Sequence, residues 1–403
     1  MSFEIALSGI SAINTSLDSI SNNIANSGTF GFKSTRANFS SLYAGTQPAG
    51  AQIGSLTQSI DIGGGALTTG RGMDAMIQGR GFFVAKDTTG AEVYSRVGIF
   101  GIDEAGYVID SSNRRIQGYA AVVDASGVPV PGAGLGAMGD MKVPSGQIAA
   151  QATTKLQYVG NLSSDWVPPT AAFDTTDPLT YNSSTVSVVY DSLGSKHTVT
   201  QYFVKQATPA NTVQVNYTFD GATLGTPQTL TFGTDGRLSP VPTVTLVPTP
   251  APAGADPMSI AVNYAGTTQY AGESTPSVNA ANGYASGARV NVSLSDDGSV
   301  IAEYSNGEKQ KVGTIALASF PNEQALVAVS DTSWTTSNDS GTPLYSTPGS
   351  GLSGELTVGA IEQSNVDMTS ELVSLMTSQR NYQANTKVIS TESDMMQSLM
   401  QAV

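Results

Sequence analysis

Residues 1–25 read MSFEIALSGISAINTSLDSISNNIA, and the apolar positions in this stretch decide how the chain begins to fold. Phe3, Ala6, Ile10, Ile13, Leu17, Ile20 and Ile24 recur at steps of 3, 4, 3, 4, 3 and 4, with mainly Ser, Asn, Asp and Thr between them. That spacing predicts one helix carrying a coiled-coil-like seam. The far end repeats it. Met368, Leu372, Leu375, Gln379, Tyr382, Thr386, Ile389, Ser393, Met396, Met400 and Val403 alternate steps of 4 and 3, and eight of the eleven are apolar. Asn365 or Asp367 can cap this second helix, and Glu371 suits the positive end of its dipole. Isolated helices of this length are marginal in water, and two that pair only with each other leave apolar surface uncovered. The apolar members of both seams are therefore candidate subunit-interface positions, covered by neighbouring copies in the core of a polymer.

Working inward, the pattern changes from helical to β. Val186, Val188 and Tyr190 recur at every second position, a turn follows at 191–194, and Val199 and Phe203 return. Val213, Val215, Tyr217 and Phe219 alternate likewise. Val290, Val292 and Leu294 lead through Asp297-Gly298 to Val300, Ala302 and Tyr304, after which Asn306-Gly307 predicts another hairpin. Short strands so punctuated indicate sandwiches or barrels. Two Pro/Gly-rich stretches interrupt them, 129–139 near a domain boundary and 240–257 as a long surface loop.

Composition removes most chemistry. Of 403 residues only 12% are charged, against about 25% in ordinary domains, so surface contacts are dominated by neutral hydrogen bonds. A net charge of −14 argues against nucleic acid and anionic membrane as partners. The absence of cysteine excludes disulfides, zinc thiolates and thiol nucleophiles. His197 is the single histidine, in a strand-like stretch, and reads as an ordinary surface residue. The acidic pairs Asp103-Glu104 and Asp296-Asp297 lie beside turn glycines and read as solvated turns rather than a glycosidase pair. Gly63-Gly64-Gly65 and Gly70-Arg71-Gly72 precede no helix that could make them phosphate cradles. No catalytic constellation, metal site or cofactor motif emerges, and the expectation is a protein that is not an enzyme. Neither a basic, then apolar, secretory leader nor a membrane-length apolar run is present.

Three segments carry a family resemblance. The first is Asn22-Asn23-Ile24-Ala25-Asn26, continuing to Gly31-Phe32-Lys33; the second is Thr69-Gly70-Arg71-Gly72-Met73-Asp74, followed by Gly81-Phe82-Phe83. The third is Ser364-Asn365-Val366-Asp367, then Gln379-Arg380-Asn381-Tyr382-Gln383-Ala384-Asn385. Together they resemble the signatures of the flagellar rod and hook proteins, over roughly the first 100 and last 45 residues. Met73 in place of the usual leucine and the stretch 60–65 depart from that pattern. The residues carried over are Asn22, Asn23, Ile24, Ala25, Asn26, Gly31, Phe32, Lys33, Gln379, Arg380, Tyr382 and Asn385. The asparagine amides are expected to end the first helix by competing for its backbone, and Gly28 and Gly31 to let the chain turn away. Arg380 and Tyr382 are expected to act as polar handles at subunit contacts.

The resemblance implies an α+β, mainly β fold of discontinuous, nested domains, in which terminal helices form a coiled-coil-like inner core inside outer β-sandwich or β-barrel domains. The expected division is 1–24 with 364–403 as helical core, 25–70 with 358–363 as linking segment, 71–146 with 284–357 as inner β domain, and 147–283 as outer β domain. That long middle suits the hook member of the family. The implied role is a curved hollow tube, a flexible joint passing torque from rod to filament. A long-form distal rod subunit is the same-family alternative, and a secreted glycan-binding adhesin the distant one. Implied partners are further copies of itself, the distal rod protein, the hook cap and hook–filament junction proteins, the type III export apparatus and the hook-length control protein. The implied location is extracellular, in the flagellar hook, reached without a cleaved signal peptide.

Overall fold

The seam-bearing ends are helical in the computed structural model, which describes residues 2–123, 133–144 and 146–402. Helix α1 spans Ser2–Ala25 and α2 spans Met368–Ala402. Val403, the last seam position, and residues 129–132 of the first Pro/Gly stretch lie outside the described residues. Strands, turns and short 3-10 helices occupy the chain between the helices, so the fold is α+β and mainly β.

After α1 the chain forms a long antiparallel hairpin, β1 (Thr35–Ala44) and β2 (Gln47–Gln58), that packs along the helix. The approach is close. A Cβ at Gly50, whose φ is +118°, would stand 2.0 Å from Ser8 Oγ, so only glycine fits. Ser19 Oγ donates to Thr35 O at 2.9 Å and pins the other end of the hairpin to the helix.

The described residues fall into two compact units. The first lies within Met1–Ser145, Asn291–Glu303 and Lys309–Val403, and the second within Gly146–Val290 and Tyr304–Glu308. The β part of the first unit has a core of Ile60, Phe82, Val84, Tyr94, Ala318, Phe320, Leu326 and Trp334. Its rings meet edge-on, Tyr94 against Phe320 at 4.8 Å and Phe82 against Phe320 at 6.0 Å, the offset geometry that aromatic quadrupoles favour.

The second unit is built from two four-stranded sheets. One is a meander of Ser183–Tyr190, Lys196–Lys205, Thr212–Phe219 and Ala222–Thr231. The other places Lys155–Asn161 parallel to Ile260–Asn263 and antiparallel to Thr275–Ala281, with Val244–Leu246 at its edge. Both contribute to one core that includes Leu156, Tyr158, Phe203, Val215, Tyr217, Ile260 and Tyr264. A polar chain runs through it: Tyr217 and Tyr264 hydroxyls lie 2.9 Å apart, and Tyr264 donates to Gln201 Oε1 at 2.6 Å. Burial raises the pKa of both tyrosines, so they stay neutral and cost little inside.

Two expectations need correction here. The stretch 240–257 is not wholly a surface loop, because Val244–Leu246 forms an edge strand with Val244 and Leu246 buried. In the strand Ser183–Tyr190 the valines of the alternating set, Val186 and Val188, face solvent while Ser187 and Val189 are buried. Ser187 is tolerated inside because Asn279 and Gln201 meet its hydroxyl.

Candidate functional site: the helical stem and its neck

Each helix presents its seam differently. On α1, Ala6, Ile13 and Ile20 are buried, Ile10, Leu17 and Ile24 half-buried, and Phe3 exposed. Ala12 and Asn23, which the seam omits, are buried as well. The helices run antiparallel, since Asn23 meets Glu371 and Gly9 meets Asn385, a step of 14 residues on each. A Cβ at Gly9 would lie 3.3 Å from Asn385 Oδ1, so the crossing relies on a missing side chain.

On α2 the face with reduced exposure is Glu371, Leu375, Ser378, Asn385, Ile389 and Glu392. Only part of the seam shares it. Leu375 and Ile389 turn inward and Tyr382 borders them, whereas Met368, Leu372, Met396 and Met400 are exposed. Val373, Met376, Val388, Met395 and Leu399 add to that uncovered surface. By the 14-residue correspondence, α2 beyond about residue 392 extends past the end of α1. Gln379 and Arg380 are exposed, and Asn385 donates to Asn381 O at 3.0 Å.

Where the helices join the β body, the signature residues converge. Asn26 behaves as the sequence suggests, its amide donating to Asn22 O and Oδ1 at 3.0 Å each. Asn23 does something else. It is buried, donates to Thr35 O at 2.8 Å and Glu371 Oε1 at 2.9 Å, and accepts from Thr35 N at 2.9 Å. One amide thus ties α1, α2 and the start of β1. Asn365 works in parallel: it accepts from Ser34 N at 2.7 Å and donates to Ser59 O at 2.8 Å and Ile62 O at 3.1 Å. Gly31, at φ +67°, lets the chain pass against the Arg96–Val97 backbone and donate its N–H to Glu362 O at 2.8 Å.

Below these amides sits a buried ionic cluster. Lys33 Nζ donates to Glu362 Oε1 and to Ile62 O, each at 2.7 Å, and Arg96 Nη1 stands 3.7 Å from Glu362 Oε2. All three side chains are buried. Gly64 donates its N–H to Glu362 Oε1 at 2.9 Å, and a Cβ there would strike Gln363 O. Burial lowers the pKa of Lys33, opposed by the Glu362 charge, and burial lowers that of Arg96. In the second signature segment, Thr69 Oγ1 donates to buried Asp74 at 2.6 Å. Glu362 and Arg96 were missed from sequence; the signal available was the unpaired cation in the Gly-Phe-Lys motif. Among the described residues no cluster of three or more His, Cys, Asp or Glu could hold a metal.

Three family descriptions match the chain: Flagellar hook protein FlgE/F/G D1 domain over residues 76–155, Flagellar basal body protein FlaE D2 domain over 161–284, and Flagellar basal body rod FlgEFG protein C-terminal over 357–402. They define a subunit of the flagellar rod and hook class. Over 99% of this chain and of the relative, the sequence is 36% identical to Flagellar hook protein FlgE of Escherichia coli (strain K12). It is 30% identical to that of Treponema pallidum (strain Nichols), covering 98% of this chain and 97% of the relative. The chain belongs to the flagellar hook protein family, a family of structural proteins rather than enzymes. The crystal structure of Helicobacter pylori flagellar hook protein FlgE2 matches with a TM-score of 0.53 and 12% identity, over 72% of this chain and 98% of that one, which shows a shared fold.

Proposed function

We propose that the chain polymerises with copies of itself into the curved hollow tube of the flagellar hook, the joint that passes torque from rod to filament. The observation that carries this reading is the uncovered apolar surface of α2, on a chain whose whole length matches hook proteins. Burying each exposed Leu, Met or Val contributes about 1.5–3 kcal/mol gross, part of it offset by the cost of association. The seam residues supply the subunit interface and form a coiled-coil-like inner core. The linking segment, 25–70 with 358–363, encloses that core. The β domains, 71–146 with 284–357 and 147–283, lie outside it. Asn23, Asn365 and the Lys33–Glu362–Arg96 cluster then carry torque between stem and body. The subunit leaves the cell through the flagellar type III export apparatus, contacts the distal rod, hook cap and junction proteins at the tube's ends, and answers to the hook-length control protein. Electron microscopy of assembled protein tests this: curved tubes are expected, and straight rods or an absence of polymer would contradict it.

A further inference from the structure

The single histidine is not the ordinary surface residue its sequence context suggests. Its ring is 17% exposed and stacks on Phe219 at 5.0 Å between centroids. Nδ1 lies 2.7 Å from Asp220 Oδ2, and Nε2 lies 3.4 Å from Asp191 Oδ2. Each carboxylate also organises a hairpin turn. Asp191 Oδ1 accepts from the N–H groups of Leu193 and Ser195, in the turn between Ser183–Tyr190 and Lys196–Lys205. Asp220, at φ +47°, opens the turn between Thr212–Phe219 and Ala222–Thr231, and its Oδ1 accepts from Thr198 N. The imidazole therefore stands between two turns at one end of the same sheet.

We propose that His197, Asp191 and Asp220 form a proton-operated clasp that joins these two turns of the second unit. An imidazolium carries two N–H donors, one for each carboxylate. A neutral ring has one. When the ring loses its proton, one of the two carboxylates is left facing a lone pair and that side of the clasp opens. Among the described residues, the charges that act most on the ring are those of Asp220 and Asp191. Lys196, the preceding strand residue, points to the opposite face, and Asp256 reaches the first turn through its backbone N–H, which donates to Ser192 Oγ. Burial disfavours the charged ring, but the hydrogen bonds and charges of Asp220 and Asp191 outweigh it and raise its pKa. Burial likewise opposes ionisation of the two carboxylates, yet their hydrogen bonds hold both below the usual range. The sign follows from linkage: the histidine's contribution is complete below its unfolded pKa and is lost as pH rises through the raised folded value. The carboxylates keep the clasp closed on the acidic side until they protonate.

Because the chain has one histidine, its imidazole resonances in the full-length monomer report the clasp without ambiguity. The expected midpoint lies above the ordinary value of about 6.5 and falls toward it in both Asp191→Asn and Asp220→Asn. Both variants keep an Oδ1 that accepts the same backbone N–H groups, and asparagine tolerates the left-handed backbone at 220. Amide exchange at Ser195 or at Thr198, whose N–H groups donate to Asp191 and Asp220 respectively, should accelerate beyond its intrinsic rate as pH passes that midpoint in the wild-type chain, and not in His197→Gln. A midpoint at or below the ordinary value, a midpoint unmoved by both substitutions, or protection at both Ser195 and Thr198 that is identical in wild type and His197→Gln would overturn the proposal.

Discussion

The second unit and the helical stem solve the same problem in opposite ways. In the second unit, strands from two sheets meet over a core whose residues, among them Leu156, Val199, Phe203, Val213 and Ile260, are fully buried by partners in the same unit. On α2, Leu372, Val373, Met376, Met395, Met396, Leu399 and Met400 all lie open. A folded monomer does not spread so many large apolar groups over one helix without use for them. The difference separates a part that closes upon itself from a part that we propose is completed by association.

The largest expected effect is at the neck. Glu362→Ala leaves Lys33 and Arg96 buried without their anion, which should cost about 3–5 kcal/mol in the unfolding transition of the first unit. Denaturant unfolding followed by probes placed in each unit would register it, and an unchanged transition would break the claim that the cluster holds the stem. Next comes the second unit's core. Tyr264→Phe removes the donor to Gln201 and should cost about 1–3 kcal/mol, confined to the second unit's transition. Asn23→Ala should cost a similar amount in the first unit, since it frees both Thr35 and Glu371. At the small end, Leu372→Ser should move the monomer by no more than about 0.5 kcal/mol, as exposed substitutions do, while raising the concentration needed to assemble. A large loss of monomer stability there would mean the face is already covered within the chain.

Local patterns carried much of this into the sequence. The 3–4 spacing marked both helices, and Asn306-Gly307 marked a hairpin whose glycine takes φ +86°. Long-range pairing did not show. Lys33 stood out in its motif, but its anion Glu362 lies 329 residues away, with no local pattern to connect them. Asn23 was visible as part of a helix-ending asparagine group, yet its partners are Thr35 and, across the chain, Glu371. The α2 seam was legible as periodicity and not as orientation. The seam has two rows: Leu375 and Ile389, 14 residues apart in one row, reach α1, while Leu372, about 60° round the helix in the other row, turns away. In the strand Ser183–Tyr190, alternation located the strand but not its inward face, which carries Val189 and the hydrogen-bonded Ser187 rather than Val186 and Val188.

The central claim is that the open face of α2 is covered by neighbouring copies, and a single thiol tests it most directly. The chain contains no cysteine, so Met396→Cys, on a side chain that is 62% exposed, gives one reporter on that face. Its alkylation rate would be measured in the monomer and again in assembled tubes. Reaction at the rate of an open thiol is expected in the monomer, and strong protection in the tube. Equal rates in both states would contradict it.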